Sequence, residues 1–98
     1  MKRDERAGEI LASIRDVLLK DWDPIGIASE FHAQDEYDSY VGGVYRLLAS
    51  GTTADALAAH LLRIEREYMG LEVGAAQEQA RKRAVLRLLS LNVRLGTA

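Results

Sequence analysis

Apolar residues recur at intervals of three and four along most of this chain, a spacing that stacks them on one side of a helix turning every ~3.6 residues and scatters them over both faces of a strand. Pro24 with Gly26, then Gly51, then Gly70 divide the pattern into four runs. In the first run Ala7, Ile10, Leu11, Ile14, Val17 and Leu18 form one stripe, with Glu9, Arg15, Asp16 and Lys20 lying off it. A helix is therefore predicted over about 4–20.

Pro24 removes a backbone donor and turns Asp23 away from helical geometry, so the helix is expected to stop near Asp21 or Trp22. Tyr37, Val41, Val44 and Leu48, flanked by Tyr40 and Leu47, predict a second helix over about 35–50. It is interrupted by Gly42-Gly43. Two helix-interior glycines cost roughly 1 kcal/mol each relative to alanine, which points to a close approach or a bend there. Gly51 suits a left-handed cap, and Thr52 with Asp55 resembles a capping box for a third helix over about 53–69. That helix carries Leu57, Leu61, Ile64 and Tyr68 on one face and stops at Gly70.

The fourth run predicts a helix over about 75–95 with Ala84, Leu88, Leu91 and Leu95 as its stripe. Val85, Leu86, Leu89 and Val93 widen that apolar surface more than halfway round the axis, so this helix needs two partners. With no strand-like alternation and no internal repeat, the expected fold class is all-α: one domain spanning 1–98, a compact four-helix bundle-like assembly with a long C-terminal helix.

Composition narrows the function. Ninety-eight residues, 48% of them hydrophobic, support one packed core and argue against a disordered chain. The absence of cysteine removes disulfides, thiolate zinc sites and cysteine nucleophiles. The charged start of the chain lacks the apolar core of a secretory signal, and no run is apolar enough to span a bilayer, so a cytoplasmic location and no membrane association are expected.

Net charge is only −2, yet it is unevenly placed. Asp21, Asp23, Glu30, Asp35, Glu36 and Asp38 fall in a stretch with no lysine or arginine, whereas Arg81, Lys82, Arg83, Arg87 and Arg94 outweigh Glu72 and Glu78 near the other end.

The acidic stretch holds His32, Asp35, Glu36 and Asp38, residue types that ligate divalent cations. Their spacing matches neither a calcium loop nor a helical histidine pair, so a solvated helix start favoured by the helix dipole is the preferred reading, with no metal and no cofactor. Trp22-Asp23-Pro24-Ile25-Gly26-Ile27 reads as a helix-ending turn in which Trp22 and an isoleucine close the core and Asp23 caps local amides, although the sequence leaves the burial of Trp22 open. His60 lies at the edge of the third helix's apolar face. Two histidines, no cysteine and no nucleophile-elbow serine provide little for a catalytic triad, so no catalytic residue is assigned and the chain is not expected to be an enzyme. Tyr37, Tyr40 and Tyr68 occupy or border core stripes and, with Tyr45, are read as packing rather than as a ligand site. The arginine row of the fourth helix could follow phosphates, but the acidic balance and the lack of interleaved exposed aromatics disfavour nucleic acid.

Taken together, Trp22-Asp23-Pro24-Ile25-Gly26, Asp35-Glu36-Tyr37-Asp38-Ser39-Tyr40, and the helix carrying Leu61, Leu62, Ile64 and Glu65 up to Met69-Gly70-Leu71 resemble the YugE-like family of small bacterial helical proteins of unknown function. The similarity covers roughly 10–71. It implies a bacterial cytosolic helical domain and, since that family has no established activity, transfers no catalytic residue.

The expected function is a noncatalytic protein-interaction module, of the immunity or antitoxin kind, whose acidic surface meets a basic protein partner of unknown identity through Asp35, Glu36, Asp38 and Tyr40. The alternative is a homo-oligomeric structural or regulatory protein, a homodimer for instance, joined through Val85, Leu86, Leu89 and Val93 of the fourth helix.

Overall fold

A computed structural model describes residues 2–24, 26, 37–71, 74–91 and 93, with side chains from Glu5 onward. Every regular element among them is helical: α1 (Lys2–Val17), α2 (Asp38–Ala49), α3 (Ala54–Arg63) and α4 (Ala75–Ser90). Helices α1 and α3 do not end where their α-geometry ends. Each runs on through one wider turn closed by an i to i+5 hydrogen bond, over Leu18–Trp22 and Ile64–Tyr68.

In the first of these π turns the Asp23 amide donates to the Leu18 carbonyl at 2.8 Å, and Asp23 itself adopts φ 33°, the left-handed conformation that ends the helix one residue before Pro24. The helix thus reaches Trp22, where Pro24 led it to be expected to stop, and both Leu18 and Trp22 of the wide turn lie in the core. The second π turn closes from the Met69 amide to the Ile64 carbonyl at 3.0 Å. Gly70 at φ +65° then lets the Leu71 amide reach the Glu65 carbonyl at 2.8 Å.

The N-cap of α3 falls one residue later than the capping-box reading had it. Thr53, not Thr52, accepts the Ala56 amide at 3.1 Å, which leaves Asp55 as an exposed first-turn carboxylate outside any box. Helix α4 stops at Ser90 rather than near 95. The Ser90 hydroxyl donates to the Arg87 carbonyl at 2.6 Å and Leu91 is already extended, so a side chain has taken up an acceptor of the last turn. Leu95 lies outside the described residues, as does the predicted start of α2 at 35.

The core is drawn from the stripes that periodicity picks out: Ile10, Ile14, Val17 and Leu18 from α1, Val41 and Val44 from α2, Leu57, Leu61 and Ile64 from α3, and Ala84, Val85 and Leu88 from α4, with Trp22 and Tyr37 between them. Leu11 and Tyr68, expected on the same stripes, lie outside it, 39% and 65% exposed, so Tyr68 is not the packing residue its spacing suggests. Helix α4 lies against the π turn of α1 and against α3, while α1 packs on α2. A radius of gyration of 13.4 Å is that of a compact chain of this length, for which about 13 Å is usual.

Candidate functional site

The two π turns meet, and what they bring together is polar. Trp22, 2% exposed, donates its indole Nε1–H to Oε2 of Glu65 at 3.0 Å. Arg81 Nη1 shares its protons between Oε1 and Oε2 of the same carboxylate, each at 3.0 Å. Glu65 is fully buried and Arg81 is 8% exposed, so this is an ion pair inside the core that joins the end of α1 to the end of α3 and the first half of α4. A buried carboxylate has lost the solvation of its charge, and only a cation and further donors make that tolerable. Here the second donor is the indole.

On the other side of Trp22, the Tyr37 ring lies with its centroid 5.5 Å away and the Tyr40 ring meets it edge-on at 6.4 Å. The Tyr37 hydroxyl donates to Oδ1 of Asp23 at 2.8 Å, fourteen positions back along the chain. The residue that ends α1 is thereby joined to the residue that begins α2.

The predicted partner-binding residues divide. Asp38 is exposed in the first turn of α2, and its Oδ1 lies 2.9 Å from Nε of Arg15 on α1. Tyr40 is half-buried against Trp22, so part of its ring belongs to the packing around the clamp. Asp35 and Glu36 lie outside the described residues, as do Glu30 and His32.

The proposed self-association surface on α4 divides as well. Leu86 is 69% exposed and Leu89 38%, but Val85 is 4% exposed and Val93 is half-buried against the core, so the latter two face inward. Arg81, Ala84, Val85 and Leu88 form the buried face of this helix, which puts Val85 on the core side of the broad apolar arc and leaves Leu86 opposite.

The basic row is corrected in the same way. Arg81 is not part of a solvated arginine row but the buried partner of Glu65, and Arg87 reaches back to Asp21 at 3.4 Å.

The Glu65–Arg81 pair was absent from the candidate residues, yet the sequence held a sign of it. Glu65 follows Leu61 by four and Arg81 precedes Ala84 and Val85 by three and four, so each is a charge on an apolar stripe. Two opposite charges on two core stripes are a candidate buried pair.

His60 sits apart from the clamp, half-buried between α3 and α2. Burial of the ring, then the neighbouring Arg63, holds its pKa below the ordinary histidine value. Among the described residues no three histidine or carboxylate side chains come together in a group that could hold a metal ion, and no helix is long and apolar enough to cross a membrane.

Fold and site together define a small all-α protein in which a buried tryptophan–glutamate–arginine clamp joins α1, α3 and α4, and in which Trp22 and Asp23 at the end of α1 meet Tyr37 at the start of α2. No family model matches the chain, and no curated protein or solved structure matches it either.

Proposed function

We propose that this chain is a noncatalytic protein-interaction module that presents its acidic loop to a basic partner. The observation that carries this reading is the contact between the two borders of the acidic stretch: the Tyr37–Asp23 hydrogen bond and the Tyr37 ring against Trp22 hold together two points fourteen positions apart. A loop whose ends are set by a rigid scaffold is a common place for recognition residues, because the entropy of bringing its ends together is met before the partner arrives.

Among the described residues Asp21 pairs with Arg87, Asp23 with Tyr37 and Asp38 with Arg15. Recognition is assigned to Asp35 and Glu36, with Asp38 and Tyr40 at the border. Complementary charge there would speed and orient association with a partner rich in lysine or arginine. The resemblance to the YugE-like proteins fits such a module working in a bacterial cytosol, and an immunity or antitoxin-like neutraliser is the form of it we favour.

The test is affinity capture from the native cell, with the full chain and with an Asp35→Lys/Glu36→Lys variant that leaves the Asp38–Arg15 pair intact. A basic partner retained by the native chain and lost by the variant is the expected result. If every partner binds both chains equally, the acidic loop is not the recognition surface.

A further inference from the structure

The glycine pair in α2 plays no part in the clamp or in the Tyr37–Asp23 contact. A side chain at Gly42 would meet nothing within 4 Å, whereas a Cβ at Gly43 would stand 3.4 Å from Nε2 of His60 on α3. Around that point the two helices leave a cleft of about 260 Å³. From α2 it is lined by Ser39, Tyr40, Gly43 and Arg46, and from the α3 side by His60, Ile64 and Tyr68.

This lining combines two chemistries. The rings of Tyr40 and Tyr68 and the side chain of Ile64 offer apolar and aromatic wall, and Tyr68, 65% exposed, stands at the open edge. The polar groups are the Arg46 guanidinium, the His60 imidazole and three hydroxyls, and none of the described lining residues is acidic. A cation with several donors and no carboxylate selects an oxyanion, and aromatic walls select a flat apolar body attached to it. The volume falls a little below the roughly 300–1,000 Å³ of drug-sized sites, so it suits one ring with a short acidic arm.

We propose that the α2–α3 cleft binds a small aromatic carboxylate, its ring against Tyr40, Tyr68 and Ile64 and its carboxylate facing Arg46. Gly43 is what keeps the cleft open, since any larger residue there would project into it beside His60. The site is opposite in charge to the partner surface, although Tyr40 borders both, and it does not depend on that reading.

The test is a titration of the isotopically labelled full chain with phenylacetate, followed by amide chemical shifts, with benzyl alcohol as the uncharged control. Saturable shifts centred on Tyr40, Gly43, Arg46 and His60, with benzyl alcohol at least about tenfold weaker, are expected, since a charge-assisted contact is worth that much or more. Arg46→Gln, at an exposed position where the fold is not at stake, should weaken phenylacetate to the level of the alcohol, and Gly43→Leu should abolish binding while helicity is retained. No saturation with phenylacetate, equal binding of the two probes, or unchanged affinity in Arg46→Gln would each overturn the proposal. If Gly43→Leu does not fold, the Arg46→Gln result decides.

Discussion

At the scale of single residues the molecule is dominated by one carboxylate. Glu65 receives Arg81 and the Trp22 indole through its side chain and the Leu71 amide through its carbonyl, so one residue joins three helices and also takes part in ending α3. Removing only one charge of a buried pair strands the other. Arg81→Met should therefore cost about 3–5 kcal/mol, while Glu65→Leu with Arg81→Met should recover part of that loss, because an apolar replacement of a whole buried pair is often neutral or better but here leaves the Trp22 indole without its acceptor at a cost of about 1–3 kcal/mol. Urea unfolding followed by Trp22 fluorescence measures both. If the double variant is as unstable as the single one, packing around the pair, not its charge, is the source of the loss. His60 supplies a second test at this scale. Burial first, then Arg63, holds its folded pKa below the ordinary value of 6.5, so as pH falls the unfolded chain takes up the proton first. The stability carried by the neutral ring is complete above that value and is lost as pH drops through the lower folded value. His60→Gln should accordingly flatten part of the acid limb, with the native chain losing more stability than the variant between about pH 7 and pH 5. Parallel pH profiles would show that the ring's burial does not reach the folding equilibrium.

At the scale of elements, periodicity was enough to find all four helices and nearly every core side chain, because burial of a stripe is a property of spacing alone. Leu57, Leu61 and Ile64 on α3 and Ile10, Ile14 and Val17 on α1 are all buried as their spacing predicts. What spacing could not reveal was the π geometry. One extra residue in a turn rotates everything after it by roughly 100°, and the two such turns, Leu18–Trp22 and Ile64–Tyr68, contain Trp22 and Glu65. An i to i+5 turn has no residue signature of its own; it is favoured here by the contact it makes possible between two distant helix ends. Trp22 closing the core is the reading its turn context favours, whereas the engagement of Glu65 by Arg81 is legible only as misplaced polarity, two charges on apolar stripes. The glycine pair of α2 was legible as an anomaly, but the sequence could not say that its two members differ. They do: Gly43 adjoins His60 and Gly42 adjoins nothing. Gly42→Ala should consequently stabilise the chain by about 0.5–1 kcal/mol by restricting the unfolded backbone and favouring helix. Thermal unfolding should show it as a rise of a few degrees, and an unchanged midpoint would mean that α2 uses the freedom of Gly42 elsewhere.

Across the whole molecule the acidic segment and the basic helix are partly folded onto each other. Asp21 meets Arg87 across the junction of α1 and α4, and Asp38 meets Arg15 across α1 and α2, so some of the charge asymmetry visible in the sequence is consumed within the fold. Both pairs reach solvent, where an ion pair contributes only about 0–1 kcal/mol and is screened by salt. The Glu65–Arg81 pair is shielded from both effects by its burial. Folding and partner binding should therefore respond differently to ionic strength. Raising salt tenfold should move the unfolding midpoint little, because the core and the clamp carry stability, while affinity for a basic partner should fall steeply, because complementary charge drives that association. The outer face of α4 bears on the state in which this is measured. With Val85 and Val93 turned inward, Leu86 and Leu89 are its exposed large apolar residues, a small patch beside the roughly 800 Å² per partner of a standard interface. Light scattering should find a monomer at micromolar concentration in both low and high salt. A dimer that Leu86→Lys dissociates would overturn this and restore α4 as an interface between copies; a dimer that survives the change but dissolves in salt would place the contact between the acidic loop of one copy and the arginines of another.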